Sequence, residues 1–116
     1  MKLTEVIIPR EKLTRYLLVK RPRADKSGYL ALAGFTAENP DALLAALETL
    51  VAEGEATETA TDRFGTRYRL DGVLAGPNGK PLTVATIWLK KTDNRIYFVT
   101  LMPPERRKAA NEKGEA

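Results

Sequence analysis

The second half of the chain carries two turn signals that fix how its strands can pair. Asn78-Gly79 lies between two runs rich in β-forming residues, 67–74 and 82–89. Asn-Gly between such runs predicts a hairpin, because both residues tolerate the positive φ angles of a two-residue type I′ turn. With 78–79 as the loop, Pro77 pairs with Lys80, and the two strands are expected to continue in that register.

This register assigns each side chain to one face of the sheet. It places Arg69 opposite Trp88 and Leu70 opposite Ile87, and cross-strand partners share a face. The predicted apolar face consists of Tyr68, Leu70, Leu74, Ala85, Ile87, Leu89, Tyr97, Val99 and Leu101.

A second turn at 92–94 extends the pairing to a third strand. A three-residue loop there pairs Trp88 with Phe98 and Thr86 with Thr100. The predicted polar face consists of Arg67, Arg69, Asp71, Thr86, Trp88, Lys90 and Thr100. A sheet that buries one face is expected to be polar on the other, but aromatic residues among cations and threonines favour a binding surface.

The helices are expected in the first half. Pro9 precedes an apolar pattern that ends before Pro22, with Leu13, Tyr16 and Leu17 at helical spacing. Residues 26–35 fit a strand or a short buried helix ending at Gly34, and the helix is favoured.

A stronger helix begins at Asn39-Pro40-Asp41, which offers an N-cap side chain, a proline at the first position and an acid in the first turn. Its buried stripe is predicted to be Leu43, Leu44, Leu47, Leu50 and Val51. Gly54 is expected to end the helix with a positive φ angle.

Strands are predicted at 57–62, as an edge strand, and at 66–76, 81–91 and 95–102. The sequence therefore predicts an α+β fold, with two or three N-terminal helices packed on one face of a four-stranded antiparallel sheet. Residues 1–104 are expected to form a single domain, and 105–116 a disordered charged tail.

Composition limits the chemistry. The 116 residues include no His and no Cys, which excludes disulfides and the usual proton shuttle and argues against zinc. We expect no metal and no cofactor, so that any catalysis uses Lys, Arg, Tyr, Thr, Ser, Asp or Glu. The sequence shows neither an apolar run of membrane-spanning length nor a secretion signal, so a cytoplasmic location is expected.

Charge is unevenly spread over the chain. The net charge is +4, and residues 10–26 hold seven Lys or Arg against two acids. Arg63, Arg67 and Arg69 form a second basic group. This distribution favours an anionic partner, with nucleic acid the commonest, although a solvated basic surface without a ligand is the alternative.

Seven segments carry a resemblance to a known family. They are Lys12-Leu13-Thr14-x-Tyr16-Leu17-Leu18, Asp25-Lys26-Ser27, Gly34-Phe35-Thr36, Gly65-x-x-Tyr68, Gly76-Pro77-Asn78-Gly79, Val84-x-Thr86-x-Trp88 and Val99-Thr100-x-x-Pro103. The chain resembles an uncharacterised family of small bacterial domains that also occur as C-terminal tips of polymorphic toxins.

The order of elements in that family is similar to the barnase–EndoU–colicin–RelE group of small ribonucleases. This likeness implies an RNA-directed activity and a small antitoxin-like protein partner, although fold alone does not give function. Members of the group often use His as the base, which this chain lacks, whereas some RelE-like toxins use Lys, Arg and Tyr.

RNA cleavage by internal attack needs a base for the 2′-hydroxyl and cations for the phosphate. The predicted catalytic residues are Lys26, Arg69, Thr86 and Thr100. The predicted substrate-binding residues are Trp88, Arg67, Asp71, Lys20 and Arg23.

Each assignment has a structural alternative. Arg69 is predicted to clamp phosphate, or instead to stack on Trp88, which could itself stack a base or be partly covered. Lys26 is the candidate base if nearby arginines lower its pKa, and otherwise a solvated cation. Asp71 could orient Arg69, act as a base or bond Thr86. Thr86 and Thr100 could bond the phosphate or each other.

The leading hypothesis is a metal-independent enzyme that cleaves RNA or a small oligoribonucleotide, including a cyclic one. Two alternatives remain open: a non-catalytic module that binds nucleic acid or nucleotides on the same face, and a protein–protein partner of a neighbouring small bacterial protein.

Overall fold

The computed structural model describes residues 1–20 and 26–104, so the tail predicted at 105–116 lies outside the described residues. Its helices and strands are α1 (Arg10–Lys12), a π-helical turn (Leu13–Leu17), α2 (Ser27–Ala31), α3 (Pro40–Glu53), β1 (Thr57–Asp62), β2 (Gly65–Ala75), β3 (Pro81–Lys90) and β4 (Ile96–Met102). The strands form one antiparallel sheet in the order β1-β2-β3-β4. The predicted α+β fold is confirmed.

The π-helical turn changes which early side chains are buried. The Leu18 N–H donates to the Leu13 carbonyl oxygen at 3.0 Å, a bond that spans five residues instead of four. Leu13 and Leu17 are buried as predicted, whereas Tyr16 is exposed. The short helix favoured at 26–35 is confirmed as α2, whose Leu30 is fully buried.

Helix α3 packs on β2 through its apolar stripe. Leu43, Leu47, Leu50 and Val51 are buried, but Ala46 takes the place predicted for the half-buried Leu44. A side chain at Gly72 would clash with Leu50, because its Cβ atom would lie 2.1 Å from the Leu50 Cδ1 atom. The missing Cβ therefore lets the helix approach the strand closely.

Two predicted end signals of α3 are wrong. The Asn39 side chain makes no capping bond to the helix; it accepts from the Thr36 N–H at 2.8 Å and donates to the Gly34 carbonyl at 3.0 Å. Gly54 has an extended backbone with φ −94°. Its glycine is needed for space, since a Cβ there would lie 2.8 Å from the Leu70 Cδ2 atom.

The β2–β3 hairpin has a three-residue loop instead of the predicted two. The Gly76 N–H donates to the Lys80 carbonyl and the Gly79 N–H to the Gly76 carbonyl, both at 3.0 Å. Only Gly79 in this loop has a positive φ, of +86°. Pro77 occupies the second position of a type I turn, which proline favours. Asn78 follows it with an ordinary negative φ angle, and Gly79 is the first residue of the loop with a positive one.

The longer loop shifts the whole hairpin register by one residue. Tyr68 lies opposite Trp88, Leu70 opposite Thr86, and Arg69 opposite Ile87. The predicted pairs of Arg69 with Trp88 and of Leu70 with Ile87 are therefore wrong. Because side chains alternate along a strand, this shift moves every β3 side chain to the other face.

We name the side packed against α3 the closed face and the opposite side the open face. The closed face includes Tyr68, Leu70, Leu74, Leu82, Val84, Thr86, Trp88, Ile96, Phe98 and Leu101, all of them buried. The predicted orientation of β2 is confirmed, but that of β3 and of the first part of β4 is reversed: Ile87, Leu89 and Tyr97 lie on the open face.

The β3–β4 loop has the predicted length. The Lys91 N–H donates to the Arg95 carbonyl at 2.9 Å, and Asn94 has a φ of +67°. The pair of Trp88 with Phe98 is confirmed, but a β-bulge next to it shifts the rest of β4. Thr86 therefore lies opposite Leu101 instead of the predicted Thr100, which lies opposite Ile87.

The two outer strands differ in what pairs with them. Strand β1 is the predicted edge strand and pairs with β2 from Gly65 only to Arg69. At the other edge, Ile7 forms a parallel bridge to Tyr97 of β4. None of the helices in the described ranges is both long enough and apolar enough to span a membrane.

Candidate functional site

The open face of the sheet brings four of the nine predicted site residues into three cross-strand rows. From β2 to β4 the rows are Arg67–Leu89–Tyr97, Arg69–Ile87–Thr100 and Asp71–Ala85–Met102. Each row places a charged β2 side chain on one side of an apolar centre. Since neighbouring strands lie about 4.8 Å apart, the Cα atoms of Arg69 and Thr100 are separated by about 10 Å.

Two predicted catalytic residues are in direct contact. The Lys26 Nζ atom donates a 2.7 Å hydrogen bond to Thr100 Oγ1 in a partly buried position. The contact depends on local structure at both ends, because Lys26 immediately precedes α2 and Thr100 is set by the bulge in β4. A cation on a hydroxyl at the rim of the open face is an arrangement that can hold a phosphate.

A second cation, which is not among the predicted site residues, lies at the same bulge. Lys12 Nζ donates to the Val99 carbonyl at 3.1 Å. Lys12 is part of α1, and the sequence signals for it were its place in the basic stretch of residues 10–26 and in the first of the family-like segments. Lys20, predicted to bind substrate, is exposed, and Arg23 lies outside the described residues.

Arg69 and Asp71 form a forked ion pair on the opposite side of the open face. The Arg69 Nε and Nη2 atoms donate to the two carboxylate oxygens of Asp71 at 2.7 and 3.2 Å. Of the three roles left open for Asp71, the structure fits the one in which it orients Arg69. With Glu55, Thr57 and Thr59, the pair lines a shallow depression of about 400 Å³.

Arg67 lies in the row next to Arg69. Its Nη1 atom donates to Asp62 at 3.2 Å in an ion pair that is about two-fifths exposed on both sides. An exposed pair of this kind contributes little to stability, so the guanidinium can exchange this carboxylate for another anion at small cost.

Trp88 and Thr86 are not on the open face, and the prediction that places them there is wrong. Both side chains are fully buried. Trp88 Nε1 donates to Thr86 Oγ1 at 2.8 Å, and Thr86 Oγ1 donates to the Leu70 carbonyl at 2.7 Å. Phe98 packs edge-on against the indole, with ring centroids 5.2 Å apart. A ligand cannot reach either residue without opening the core.

The open face has no carboxylate cluster of the kind that holds a metal. Across residues 1–20 and 26–104, no three Asp or Glu side chains come together as ligands. Instead, the Lys26–Thr100 contact lies on one side of Ile87 and Arg69 lies on the other. Together these groups can bind and polarise a phosphate group.

The fold has a counterpart among solved structures. Over 88% of this chain and 96% of the other, it superposes with a TM-score of 0.61 on a chain of the contact-dependent growth inhibition toxin–immunity protein complex from Klebsiella pneumoniae 342. The two sequences are 14% identical, so this likeness shows the fold alone. A comparison with curated proteins gives no match.

The family is shown by a match over nearly the whole sequence. The protein-family model described as "Domain of unknown function (DUF6883)" matches residues 2–105. This range contains every described element and all of the open-face rows. The chain therefore belongs to the DUF6883 family.

Proposed function

We propose that the open face binds RNA and cleaves it by transesterification without a metal ion. The contact that carries this proposal is the 2.7 Å hydrogen bond from Lys26 Nζ to Thr100 Oγ1. It holds an amine and a hydroxyl at one point on the rim of a face that also presents Arg69. The substrate class is RNA or a small oligoribonucleotide, including a cyclic one.

In this proposal the 2′-hydroxyl oxygen attacks phosphorus and the bond from phosphorus to the 5′-oxygen breaks. Lys26 in its amine form takes the 2′-hydroxyl proton while one of its N–H groups stays bonded to Thr100. Arg69 faces the non-bridging oxygens, where negative charge builds up. Water supplies the proton for the leaving 5′-oxygen. The products are a 2′,3′-cyclic phosphate and a 5′-hydroxyl.

The position of Arg69 supports this division of roles. Asp71 holds its guanidinium by a fork of two hydrogen bonds, which fixes the direction of the charge. The fork lies over β2 beside Thr57 and Thr59 of β1, across the row from Thr100, whose Cα atom is about 10 Å from that of Arg69. A phosphate above Ile87 would therefore lie between the guanidinium and the Lys26–Thr100 contact.

A protein partner is the second proposal, and one observation favours it. The solved structure of like fold is a complex between a toxin and an immunity protein. We propose that this chain, too, acts with a small protein encoded beside it, which covers the open face. Co-expression with the neighbouring gene product tests this: a stable complex that lacks RNA cleavage is expected, and failure of the purified pair to bind contradicts it.

The cleavage proposal is tested with purified protein, EDTA and a panel of single-stranded, folded and cyclic RNAs. Products with 2′,3′-cyclic phosphate ends are expected, and 2′-deoxy analogues are expected to stay intact. Lys26→Ala should lower the rate about 100-fold or more, the usual contribution of a general base. Thr100→Val should lower the rate less, since this variant loses the hydrogen bond that holds Lys26 but still contains the Lys26 amine.

Lys12→Ala is the matched control, because it removes one cation from the same bulge but not the contact with the hydroxyl. If Lys12→Ala and Lys26→Ala lower activity equally, charge alone matters and Lys26 is not the base. If no RNA is cleaved but several bind with a steep salt dependence, the face is a binding module instead of an enzyme.

A further inference from the structure

The two edges of the sheet differ in how their backbone groups are satisfied. At β4, the Ile7 N–H donates to the Ile96 carbonyl at 2.8 Å, and the Phe98 N–H donates to the Ile7 carbonyl at 2.9 Å. At the other edge, β1 pairs with β2 no further than Arg69. The segment from Asp71 to Ala75 thus has a strand partner on one side only.

The phase of the β2–β3 ladder determines which groups face outward. Gly76 bonds Lys80 across the hairpin, so the even-numbered β2 residues direct their backbone groups toward β3. The N–H and C=O groups of Asp71, Val73 and Ala75 then point away from the sheet. Within the described ranges, no turn, loop or cap hydrogen bond reaches these three residues. Such an unpaired edge is a template for another strand.

Helix α3 flanks this edge with small side chains. Ala42, Ala45, Ala46, Thr49 and Glu53 line a groove of about 290 Å³ together with Val73 and Ala75. Val73 is 54% exposed although it is apolar. The helix therefore leaves room beside the strand for a neighbouring chain.

We propose that this edge binds a second copy of the protein, so that two sheets join into one across a two-fold axis at Val73. In this antiparallel pairing Val73 faces its symmetry mate and Asp71 faces Ala75, and every outward N–H meets a C=O. Within the paired strand segment, no charged residue faces a like charge. The proposal rests on the backbone groups of this edge and not on the RNA chemistry, although the Asp71 side chain also holds Arg69.

Charge favours a second copy over an unrelated strand. Asp71 lies at one end of the edge, and Lys80 lies beside Ala75 and Gly76 at the other. The two-fold axis brings Lys80 of one copy toward Asp71 of the other, at both ends of the interface. The two α3 helices then run antiparallel on the same face, where their small residues permit close approach.

The chain contains no cysteine, so Val73→Cys carries a single thiol that reports on this geometry. Facing residues of a hydrogen-bonded pair have Cα atoms about 5.5 Å apart, within the range of a disulfide. With oxidised glutathione as the oxidant, Val73→Cys is expected to form a disulfide-linked dimer. Thr83→Cys is the matched control, because Thr83 is the exposed β3 partner of Val73 and lies one strand inside the edge.

Unmodified protein provides the second measurement, by light scattering and amide hydrogen exchange over a range of concentrations. A dimer is expected, and exchange at Asp71, Val73 and Ala75 should slow by about tenfold or more as it forms. Gly72 and Leu74, already bonded to β3, should change little. A monomer at every concentration overturns the proposal and leaves the edge to another chain or to solvent. A dimer in which Val73→Cys cross-links no faster than Thr83→Cys also overturns it.

Discussion

The two faces of the sheet satisfy their polar groups in opposite ways. On the closed face, Trp88 and Thr86 are fully buried and bond one another and the backbone of Leu70. On the open face, Lys26 bonds Thr100 across 74 residues of sequence, and Arg69 bonds Asp71 near solvent. The hydrogen bonds of the closed face stabilise the fold, whereas the open face holds charged groups where an anion can reach them.

This difference separates the residues that stabilise the fold from those that could perform chemistry. A buried polar group is costly to leave unpaired, so the Trp88–Thr86 pair should act on stability alone. The open-face groups are partly exposed and their ion pairs are worth little to stability. Substitutions on the two faces should therefore move different measurements.

The largest effect on stability is expected for Trp88→Ala. Removing a fully buried indole that packs on Phe98 leaves a large cavity, which costs about 3–5 kcal/mol. Urea unfolding followed by circular dichroism measures the loss. Ile87→Ala, one residue along on the half-buried open face, serves as the control. If both substitutions cost the same, the two faces are not distinct.

Thr86→Val should have the next largest effect. Valine has the same shape but leaves the Trp88 N–H without its acceptor, which costs about 1–3 kcal/mol. Thr86→Ser keeps the hydroxyl and should cost less. The free energy of unfolding of the two variants decides between them, and a valine variant as stable as the serine variant would mean that the buried bond contributes nothing.

The hairpin loops show what could be predicted from the sequence. Both have three residues, with the positive φ angle at the third: Gly79 in one, Asn94 in the other. The loop containing Asn94 was predicted correctly because no shorter alternative competes there. In the other, Asn78-Gly79 suggested a two-residue turn, although Pro77 before it and the glycine at the last position already indicated a type I turn.

Helices, strand order and the β2 faces could be predicted because they depend on local periodicity and on short connections, although the two end signals predicted for α3 are wrong. The faces of β3 and the Thr100 position could not, since one extra loop residue and one bulge reverse or shift all that follows. Lys26 and Thr100 were each selected from the sequence, but their contact joins distant segments, and no spacing rule places them together.

Arg69→Ala should change stability by no more than about 0.5 kcal/mol, because its ion pair is partly exposed. RNA affinity should fall, and the slope of log affinity against log salt should decrease by about one. Arg63→Ala, in the turn between β1 and β2, is the control: it removes one cation of the same basic group from outside the row, so it should lower RNA affinity less than Arg69→Ala does. A large drop in melting temperature with unchanged RNA binding would assign Arg69 to the fold.

The smallest effect is a dependence of stability on acid that arises in the loop between β3 and β4. The Arg95 N–H, which donates to Asp93 at 2.8 Å, lowers the pKa of Asp93 below its ordinary value of 3.8, and the Tyr97 hydroxyl adds to this. The folded state thus binds this proton less readily than the unfolded state. Stability from this group is present above pH 3.8 and is lost as the pH falls through the lower, folded-state pKa.

Asp93→Asn removes this carboxylate and should flatten the decline in the free energy of unfolding below pH 4. Urea unfolding at several acidic pH values measures the slope. An unchanged slope would mean that other carboxylates, such as Glu55, whose pKa is lowered chiefly by the bond from the Met1 amino group, account for the acid dependence.

The difference between the faces is tested most directly by an NMR titration with a non-cleavable 2′-O-methyl RNA. The amide signals of Arg69, Ile87 and Thr100 should shift together as RNA is added, because they form one row across the open face. The indole N–H signal of Trp88 should stay in place, since that proton is bonded to Thr86 inside the core. A Trp88 signal that moves while the open-face row does not would contradict the account.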